Sequence, residues 1–433
     1  MRTNPVASPG LKNSPYYIPF PKQGFKALVL SIVFLSLIGS VTNYVTISSL
    51  SSLLILFAPL LVCINSRLKP ISLSILGLWL LFFLSTLTYA PQSFLEYNFY
   101  RRDGNFFISF APLLSLSLMT WKIDVERWAD FFLRWITLAT IPAMLYFLNN
   151  KPFSTDHRIF SLYFYSHNAA GGVLCLATCV AIGFYLDKRK YFYLFLSCLN
   201  FFAALLTFSR GSVLAFLLAS FTFFCVKKKN IKYLLISLVV LHLPPLFYGY
   251  QFWMRNPSLS NASIIGEAIE ENNLNFHKAG TVVDRLFVIW PRAIDLFMKS
   301  PILGTGFGSY NDTPHQLEGI ENVIMINSSK NLTYDAGHAH HSYLHVLAEN
   351  GLIGIFLLCF CLYQIYQFID KIESKSLKVG LCLAFWMNFY SSFTEHRLFT
   401  PSQMLPFFIL LGLCVCSSHL KKDASTNHLE NKT

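Results

Sequence analysis

The chain has 433 residues, of which 54% are hydrophobic, 16% are aromatic and only 13% are charged, and its formal net charge is +12. A soluble chain of this length would form two or three domains, but apolar runs repeat along this one and exclude that organisation. The basic residues form short clusters between the apolar runs, as in the cytoplasmic loops of membrane proteins, so the positive charge does not indicate a nucleic-acid partner.

Twelve apolar runs have lengths close to that needed to cross a hydrocarbon layer of about 30 Å, and they predict an all-α polytopic membrane protein. They cover residues 27–43, 45–64, 71–90, 105–121, 130–148, 169–186, 191–208, 211–226, 233–250, 343–368, 378–394 and 401–418. The seventh and eighth runs are separated only by residues 209–211, so joining them would give eleven spans.

The basic residues also predict how the chain is oriented. Most of the 34 lysines and arginines face the cytoplasm if the N-terminus lies inside, as the positive-inside rule requires. Residues 1–26 and 419–433 are then cytoplasmic, and residues 27–250 hold the first nine spans. The last three spans lie within 343–418, which places residues 251–342 on the outer side of the membrane. In a Gram-negative bacterium this is the periplasmic side of the inner membrane.

The predicted periplasmic loop, 251–342, is too long for a simple connector, and loops of this length usually carry function. Residues 284–299 predict a helix inside it. Arg285, Arg292 and Lys299 recur every seven residues on this helix and therefore share one face.

Two sequence features are expected to shape this helix and the turn that follows it. Pro291 is expected to kink it. The run Gly304-Thr305-Gly306-Phe307-Gly308 predicts a flexible turn rather than a nucleotide site, because no strand precedes it and no βαβ unit follows.

Three histidines occur within four positions where the loop meets the tenth span: His338, His340 and His341. Histidine can exchange a proton near neutral pH, so the cluster is a candidate for acid–base chemistry. Helical spacing would bring His338 and His341 together, whereas strand spacing would bring His338 and His340 together. The alternative is a set of interfacial polar residues hydrated by water.

No metal or cofactor is expected. All ten cysteines lie within or at the edges of apolar runs, without the spacing of a zinc site or a disulfide framework. A zinc site at the histidines would need a further ligand. Glu349, at a helical spacing from His341, leaves one such arrangement open.

Several arginines lie on the predicted periplasmic side. Arg210, in the short junction after the seventh span, is costly so near hydrocarbon unless it pairs or binds an anion. Arg285 lies on the loop helix, and Arg158 lies in the loop before the sixth span. Three others are expected to snorkel to lipid headgroups: Arg101, Arg102 and Arg397.

Histidines and arginines together at a membrane face predict a substrate linked to a lipid pyrophosphate. The guanidinium groups would bind and neutralise the pyrophosphate that leaves. One histidine would remove the proton from an attacking sugar hydroxyl.

The residues themselves also resemble a known family. His340-His341, nine residues, Gly351, two residues and Gly354 resemble the His-[Asn/Ser/Gln]-x9-Gly-x2-Gly signature of the O-antigen ligases. These belong to a superfamily shared with O-antigen polymerases and protein O-oligosaccharyltransferases. Thr207-Phe208-Ser209-Arg210-Gly211 resembles the arginine motif of the family, and Asp284-Arg285 with the glycine run after Lys299 resembles its second arginine motif.

The resemblance implies roles for particular residues. His340 matches the catalytic histidine, with His338 as the second candidate, and Arg210 and Arg285 match the functional arginines. Arg158 matches a basic position more loosely. One departure is that His341 stands where the family has Asn, Ser or Gln. Arg292, on the predicted face of Arg285, is a further candidate for pyrophosphate binding.

The implied activity is an inverting, metal-independent glycosyl transfer in which undecaprenyl pyrophosphate carries the donor polysaccharide. The acceptor would be the lipid A-core oligosaccharide, among membrane lipids. An O-antigen polymerase, with a second undecaprenyl-linked glycan as acceptor, is the first alternative. A transporter is the second, although Arg134 and His242 are almost the only ionisable residues within the predicted spans.

Overall fold

The computed structural model describes residues 22–41, 69–95, 99, 103–119, 121, 123–149, 160–162, 166–226, 232–255, 285–312 and 338–417. Within these residues the secondary structure is helical and contains no strand. The principal helices are α1 (Lys22–Val41), α2 (Pro70–Tyr89), α3 (Asn105–Ser117), α4 (Val125–Asn149), α5 (His167–Lys188), α6 (Tyr191–Leu206), α7 (Arg210–Val226), α8 (Lys232–Arg255), α9 (Trp290–Lys299), α10 (Ser342–Asp370), α11 (Lys375–Thr394) and α12 (Pro401–Ser417).

The predicted apolar runs correspond to these helices, except that α9 belongs to the predicted loop and the run at 45–64 lies outside the described residues. Five of the described helices are long and apolar enough to cross a membrane. They are Pro70–Tyr89, Val125–Asn149, His167–Lys188, Lys232–Gln251 and Ser342–Asp370. The all-α membrane class is therefore supported, while the count of twelve spans stays a prediction.

The junction between the seventh and eighth runs is a true turn. α6 ends at Leu206 and α7 begins at Arg210, and Phe208 between them has a φ of 51°. A bulky residue with positive φ cannot continue a right-handed helix. The two runs are therefore two helices, not one.

Helix α11 lies inside the bundle, where it packs against α5 and α7. Its contact with α5 is close because small residues face each other. A Cβ atom added to Gly183 would lie only 2.3 Å from the carbonyl oxygen of Ser376 and 2.7 Å from the nitrogen of Gly380. Small residues at helix contacts are typical of membrane bundles. This packing anchors the start of α11, and the opposite end of the same helix carries the candidate site.

Helix α10 is broken at Gly351, where the backbone adopts φ 59° and ψ −158°. A break leaves carbonyl and N–H groups on either side without helical partners. Residues 301–306, which we call the bridging segment, supply those partners. Before the break, the carbonyl oxygens of α10 accept from the segment: Ala348 from the N–H of Thr305 (3.3 Å) and Glu349 from that of Gly306 (2.9 Å). After the break, the N–H groups of α10 donate to the segment: Leu352 to the carbonyl oxygen of Pro301 (2.8 Å) and Ile353 to that of Ile302 (3.2 Å).

Glycine is required on both sides of this contact. Gly304 has a φ of 74°, and a Cβ atom there would lie 2.2 Å from the carbonyl group of Glu349. A Cβ atom at Gly351 would lie 2.4 Å from the carbonyl oxygen of Ile302. The glycine run therefore docks the loop into the broken helix, because only a residue without a side chain fits.

Candidate functional site

His341 forms the N-cap of α10. Its Nδ1 accepts a hydrogen bond from the Leu344 N–H at 3.0 Å, and its ring packs against Phe393 and Trp290. Burial lowers the pKa of this imidazole to about 3, and the neighbouring His242 acts in the same direction. His341 is therefore a neutral acceptor near pH 7. Asn and Ser are preferred N-caps for the same reason, so the departure from the family signature preserves the capping function.

His340 precedes the cap and has a left-handed backbone, with φ 48°. Such a conformation is unfavourable for a residue with a side chain and is found mostly where the surrounding structure imposes it. The side chain is 35% exposed, and its Nδ1 lies 3.1 Å from Oε2 of Glu395. The Nδ1 edge of the ring is thus held by a carboxylate, while the side chain remains partly accessible to solvent.

Glu395 ends α11 and lies between several groups. Its Oε1 accepts hydrogen bonds from Arg285 at 2.8 Å and from the amide of Asn168 at 3.2 Å. Burial alone would raise the pKa of this carboxyl, but the charge of Arg285 and the hydrogen bond from His340 hold the pKa well below its usual range. Glu395 is therefore ionised at neutral pH and joins the base candidate to an arginine.

Arg285 lies in the π-helical turn Arg285–Ile289 that precedes α9. Besides its ion pair with Glu395, it donates to the carbonyl oxygen of Thr394 at 2.7 Å. Its side chain is 21% exposed. The loop that sequence patterns predicted to be functional is therefore attached to the end of α11 by this arginine.

Arg210, the first residue of α7, is exposed, and its helix begins against the same end of α11. A Cβ atom at the neighbouring Gly211 would lie 2.6 Å from Oγ1 of Thr394. Arg397, just after this turn, is 2% exposed and donates to Oγ of Ser212 at 3.1 Å. The prediction that Arg397 snorkels to lipid headgroups is therefore wrong, because its guanidinium packs inside the protein against α7.

Arg292 lies apart from this group. It is 7% exposed, donates to the carbonyl oxygen of Tyr310 and stacks its guanidinium 4.3 Å from the centre of the Tyr310 ring. Arg285 and Arg292 therefore have different partners despite their seven-residue spacing. The π-helical turn between them changes the helical periodicity, and Pro291 lies in the first turn of α9 rather than inside a kinked helix.

Arg158, Arg101 and Arg102 lie outside the described residues.

His338 is held behind His340. Its Nδ1 accepts a hydrogen bond from the backbone N–H of His340 at 3.2 Å, and its ring stacks on His396, with centroids 4.6 Å apart and planes 8° from parallel. Burial lowers the pKa of His396 well below its usual value, and the charges of the neighbouring histidines act in the same direction. His338 and His340 are thus close together, and it is Nδ1 of His340 that contacts the carboxylate of Glu395.

Sequence reasoning missed Glu395 and His396, and it assigned Arg397 to the lipid surface. All three occur in the short turn between two apolar runs, where charged residues at a membrane interface are ordinary. The adjacent sequence Thr394-Glu395-His396-Arg397 is the one signal that could have indicated a site. Its importance depends on contacts with residues far away in the chain.

Comparison with known families finds a match over part of the chain. Residues 192–359 match the family model described as O-Antigen ligase. The matched segment runs from α6 into α10 and contains Arg210, Arg285 and the histidines, whereas Glu395 lies beyond it. Among curated proteins, none matches the chain.

Proposed function

We propose that this chain, whose residues 192–359 match the family model described as O-Antigen ligase, is an O-antigen ligase. It transfers polysaccharide from undecaprenyl pyrophosphate to a sugar of the lipid A-core oligosaccharide. The observation that carries the proposal is the position of Glu395, whose two carboxylate oxygens contact His340 and Arg285. A proton acceptor and a group that binds phosphate therefore lie on either side of one anion.

The arginines bind the donor pyrophosphate. A guanidinium group carries five N–H donors in a planar fork that fits phosphate oxygens. Arg285 uses donors on two of its nitrogens to hold Thr394 and Glu395, so its orientation is fixed before the substrate arrives. Arg210 is exposed at the start of α7, beside the same turn. Both charges stabilise the negative charge that develops on the leaving pyrophosphate, an effect that contributes several kcal/mol in comparable sites.

His340 is the general base. An ionised carboxylate can only accept hydrogen bonds, so the contact with Glu395 places the proton of the neutral ring on Nδ1. Nε2 then has its lone pair available for the hydroxyl of the acceptor sugar. A carboxylate that fixes the tautomer of a histidine in this way also stabilises the imidazolium formed when the proton arrives. General-base catalysis of this kind contributes about 10²–10⁴-fold to the rate.

The transfer proceeds in one displacement. Nε2 of His340 takes the hydroxyl proton as the acceptor oxygen forms its bond to the anomeric carbon of the donor. The bond between that carbon and the pyrophosphate oxygen breaks, and undecaprenyl pyrophosphate leaves with the electron pair. The configuration at the anomeric carbon is inverted, and no metal ion takes part in the chemistry.

The bundle supports a periplasmic site and cytoplasmic termini. Glu126 binds Lys188 at 3.0 Å and Ser374 at 2.6 Å, so the start of α4, the end of α5 and the start of α11 lie together. Basic residues concentrate at this end of the bundle, as expected for a cytoplasmic face. The candidate site lies at the other end of α11, about 30 Å away for a helix of this length.

A deletion strain tests the proposal against the polymerase. Loss of a ligase leaves undecaprenyl-linked polymer in the membrane and bare lipid A-core on a gel. Loss of a polymerase instead gives core that carries a single repeat unit, and this outcome would contradict the ligase assignment. Complementation with the wild-type gene should restore the full ladder.

A liposome assay tests the transporter alternative. Among the ionisable residues within the predicted spans, Arg134 pairs with Asp130 at 2.8 Å, His345 lies 3.3 Å from Glu349, and the ring of His242 lies 6.5 Å from that of His341. These contacts give no support to a translocation path. Purified protein that moves glycolipid across liposomes without transferring the glycan would overturn the enzymatic assignment.

A further inference from the structure

A second polar cluster lies behind the histidines of the proposed site. Nε2 of His345 is 3.4 Å from Oδ1 of Asp103 and 3.3 Å from Oε2 of Glu349. The rings of His345 and His396 lie 4.4 Å apart, nearly perpendicular to each other. His345, Asp103 and Glu349 are fully buried, and His396 is 6% exposed. Three separate parts of the chain supply these side chains: the start of α3, the first turns of α10 and the turn before α12.

Hydrogen bonds within the protein do not provide partners for all polar atoms of this cluster. Neither ring nitrogen of His396 has a hydrogen-bond partner among the described residues. Buried polar atoms without partners are uncommon and usually indicate a water molecule or an ion. A protonated His345 between the two carboxylates would offset one of their two negative charges, but it would leave both nitrogens of His396 without an acceptor or donor.

We propose that Asp103, His345 and His396 bind a divalent transition-metal ion, for which zinc is the best match. One donor atom from each of the three lies within 4.8 Å of the other two. The separation of 3.4 Å between Nε2 of His345 and Oδ1 of Asp103 is long for a hydrogen bond. It is close to the distance of about 3.4 Å between ligands of a tetrahedral zinc ion, whose bonds to nitrogen and oxygen are about 2.0–2.1 Å.

Glu349 lies next to these three residues but outside the group whose donor atoms are all within 4.8 Å of one another. Its Oε2 faces His345, while its Oε1 accepts a hydrogen bond from the N–H of Tyr310 at 3.1 Å. A carboxylate in this position can orient the imidazole of His345 from outside the ligand set. Two imidazoles and one carboxylate form a donor set suited to zinc. The sequence pointed instead to Glu349 with His341, which caps α10 through its Nδ1 and does not take part.

The ion has a structural role and lies apart from the transfer chemistry. It ties the start of α3 and the first turns of α10 to the turn that carries His396, and Glu395 is the adjacent residue. His338, which stacks on His396, is held in the same unit. The proposal does not depend on the proposed function, since the cluster would bind the ion whichever glycan is transferred.

Metal analysis of the purified full-length protein tests the inference. Wild-type protein from zinc-supplemented cells should contain close to one zinc ion per chain, and so should His340→Ala, whose side chain is outside the cluster. His345→Ala and His396→Ala should both lose the ion. Zinc that persists in both of these variants would place the ion elsewhere and overturn the proposal.

A measurement on wild-type protein covers the case in which the alanine variants do not fold. Replacement of zinc by cobalt should give the visible absorption bands of a tetrahedral site with nitrogen and oxygen ligands. Removal of the ion with a strong chelator should lower the Tm, and added zinc should restore it. Wild-type protein without stoichiometric metal, whose Tm does not respond to the chelator, would show that the cluster holds water or only ion pairs.

Discussion

Nδ1 of His340 lies 3.1 Å from Oε2 of Glu395, although the two residues are 55 positions apart in the chain. The contact is made possible by the left-handed backbone of His340 and by the end of α11 at Thr394. In the proposed reaction it determines which nitrogen of the imidazole is protonated, and therefore which nitrogen is left to accept the proton of the acceptor sugar.

Replacement of Glu395 by glutamine should reduce transfer by about 10²–10⁴-fold. The amide has the same shape but can donate to Nδ1, which would move the ring proton to Nε2 and remove the base. The ladder of ligated lipopolysaccharide on a gel of a complemented deletion strain measures the effect. The exposed Glu373, near the opposite end of α11, provides the matched control, because Glu373→Gln should leave the ladder unchanged. Wild-type ladders in Glu395→Gln would remove Glu395 from the mechanism.

Arg285→Ala should abolish transfer, and Arg285→Lys should retain less than about a tenth of it, because an ammonium group cannot reproduce the planar fork. Arg127→Lys on the exposed face of α4 is the control for the same exchange and should be neutral. Arg210→Ala should also abolish transfer. Immunoblots of membranes must show equal amounts of each protein. Strong activity in Arg285→Lys would indicate that charge alone is needed.

His340→Ala and His338→Ala separate the two candidate bases. The first should abolish transfer while the protein remains in the membrane, because no other side chain receives the proton. The second should retain measurable transfer, since His338 contacts the backbone of His340 rather than Glu395. An active His340→Ala together with an inactive His338→Ala would assign the base to His338.

The N-cap at His341 predicts that substitution by asparagine is tolerated. His341→Asn should keep both stability and transfer, because an amide oxygen can accept the N–H of Leu344 as Nδ1 does. His341→Ala should destabilise the protein by about 0.5–2 kcal/mol through loss of the cap. Thermal unfolding in detergent compares the variants. Equal stability of the Ala and Asn variants would show that the cap contributes nothing.

The bridging segment gives a prediction about stability. Gly304→Ala and Gly351→Ala should each destabilise the protein by more than about 2 kcal/mol, because the new methyl group meets backbone atoms in a positive-φ conformation. Gly77→Ala is the control, since a Cβ atom there has no neighbour within 4 Å. It should be neutral or slightly stabilising in α2. Melting temperatures that fall equally in all three variants would indicate a general effect of glycine replacement.

The helices were predictable because apolar runs bounded by basic clusters are a property of the local sequence. His340, Arg210 and Arg285 could be named because each lies in a recognisable local motif. Glu395 could not be found in this way, since its role arises from a contact that joins α11 to the loop and to the start of α10. The broken helix had no local signal either: Gly351 belongs to the motif after His340, but the segment that fills the break lies almost fifty residues earlier.

Tyr310 and His341 are both attached to the first turns of α10. The N–H of Tyr310 binds the carboxylate of Glu349, and His341 caps the helix. The chain thus enters and re-enters the same short part of α10 at two fixed points. The dimensions of the proposed reaction centre are therefore set by this part of α10 and by the end of α11, because those two elements carry His340 and Glu395.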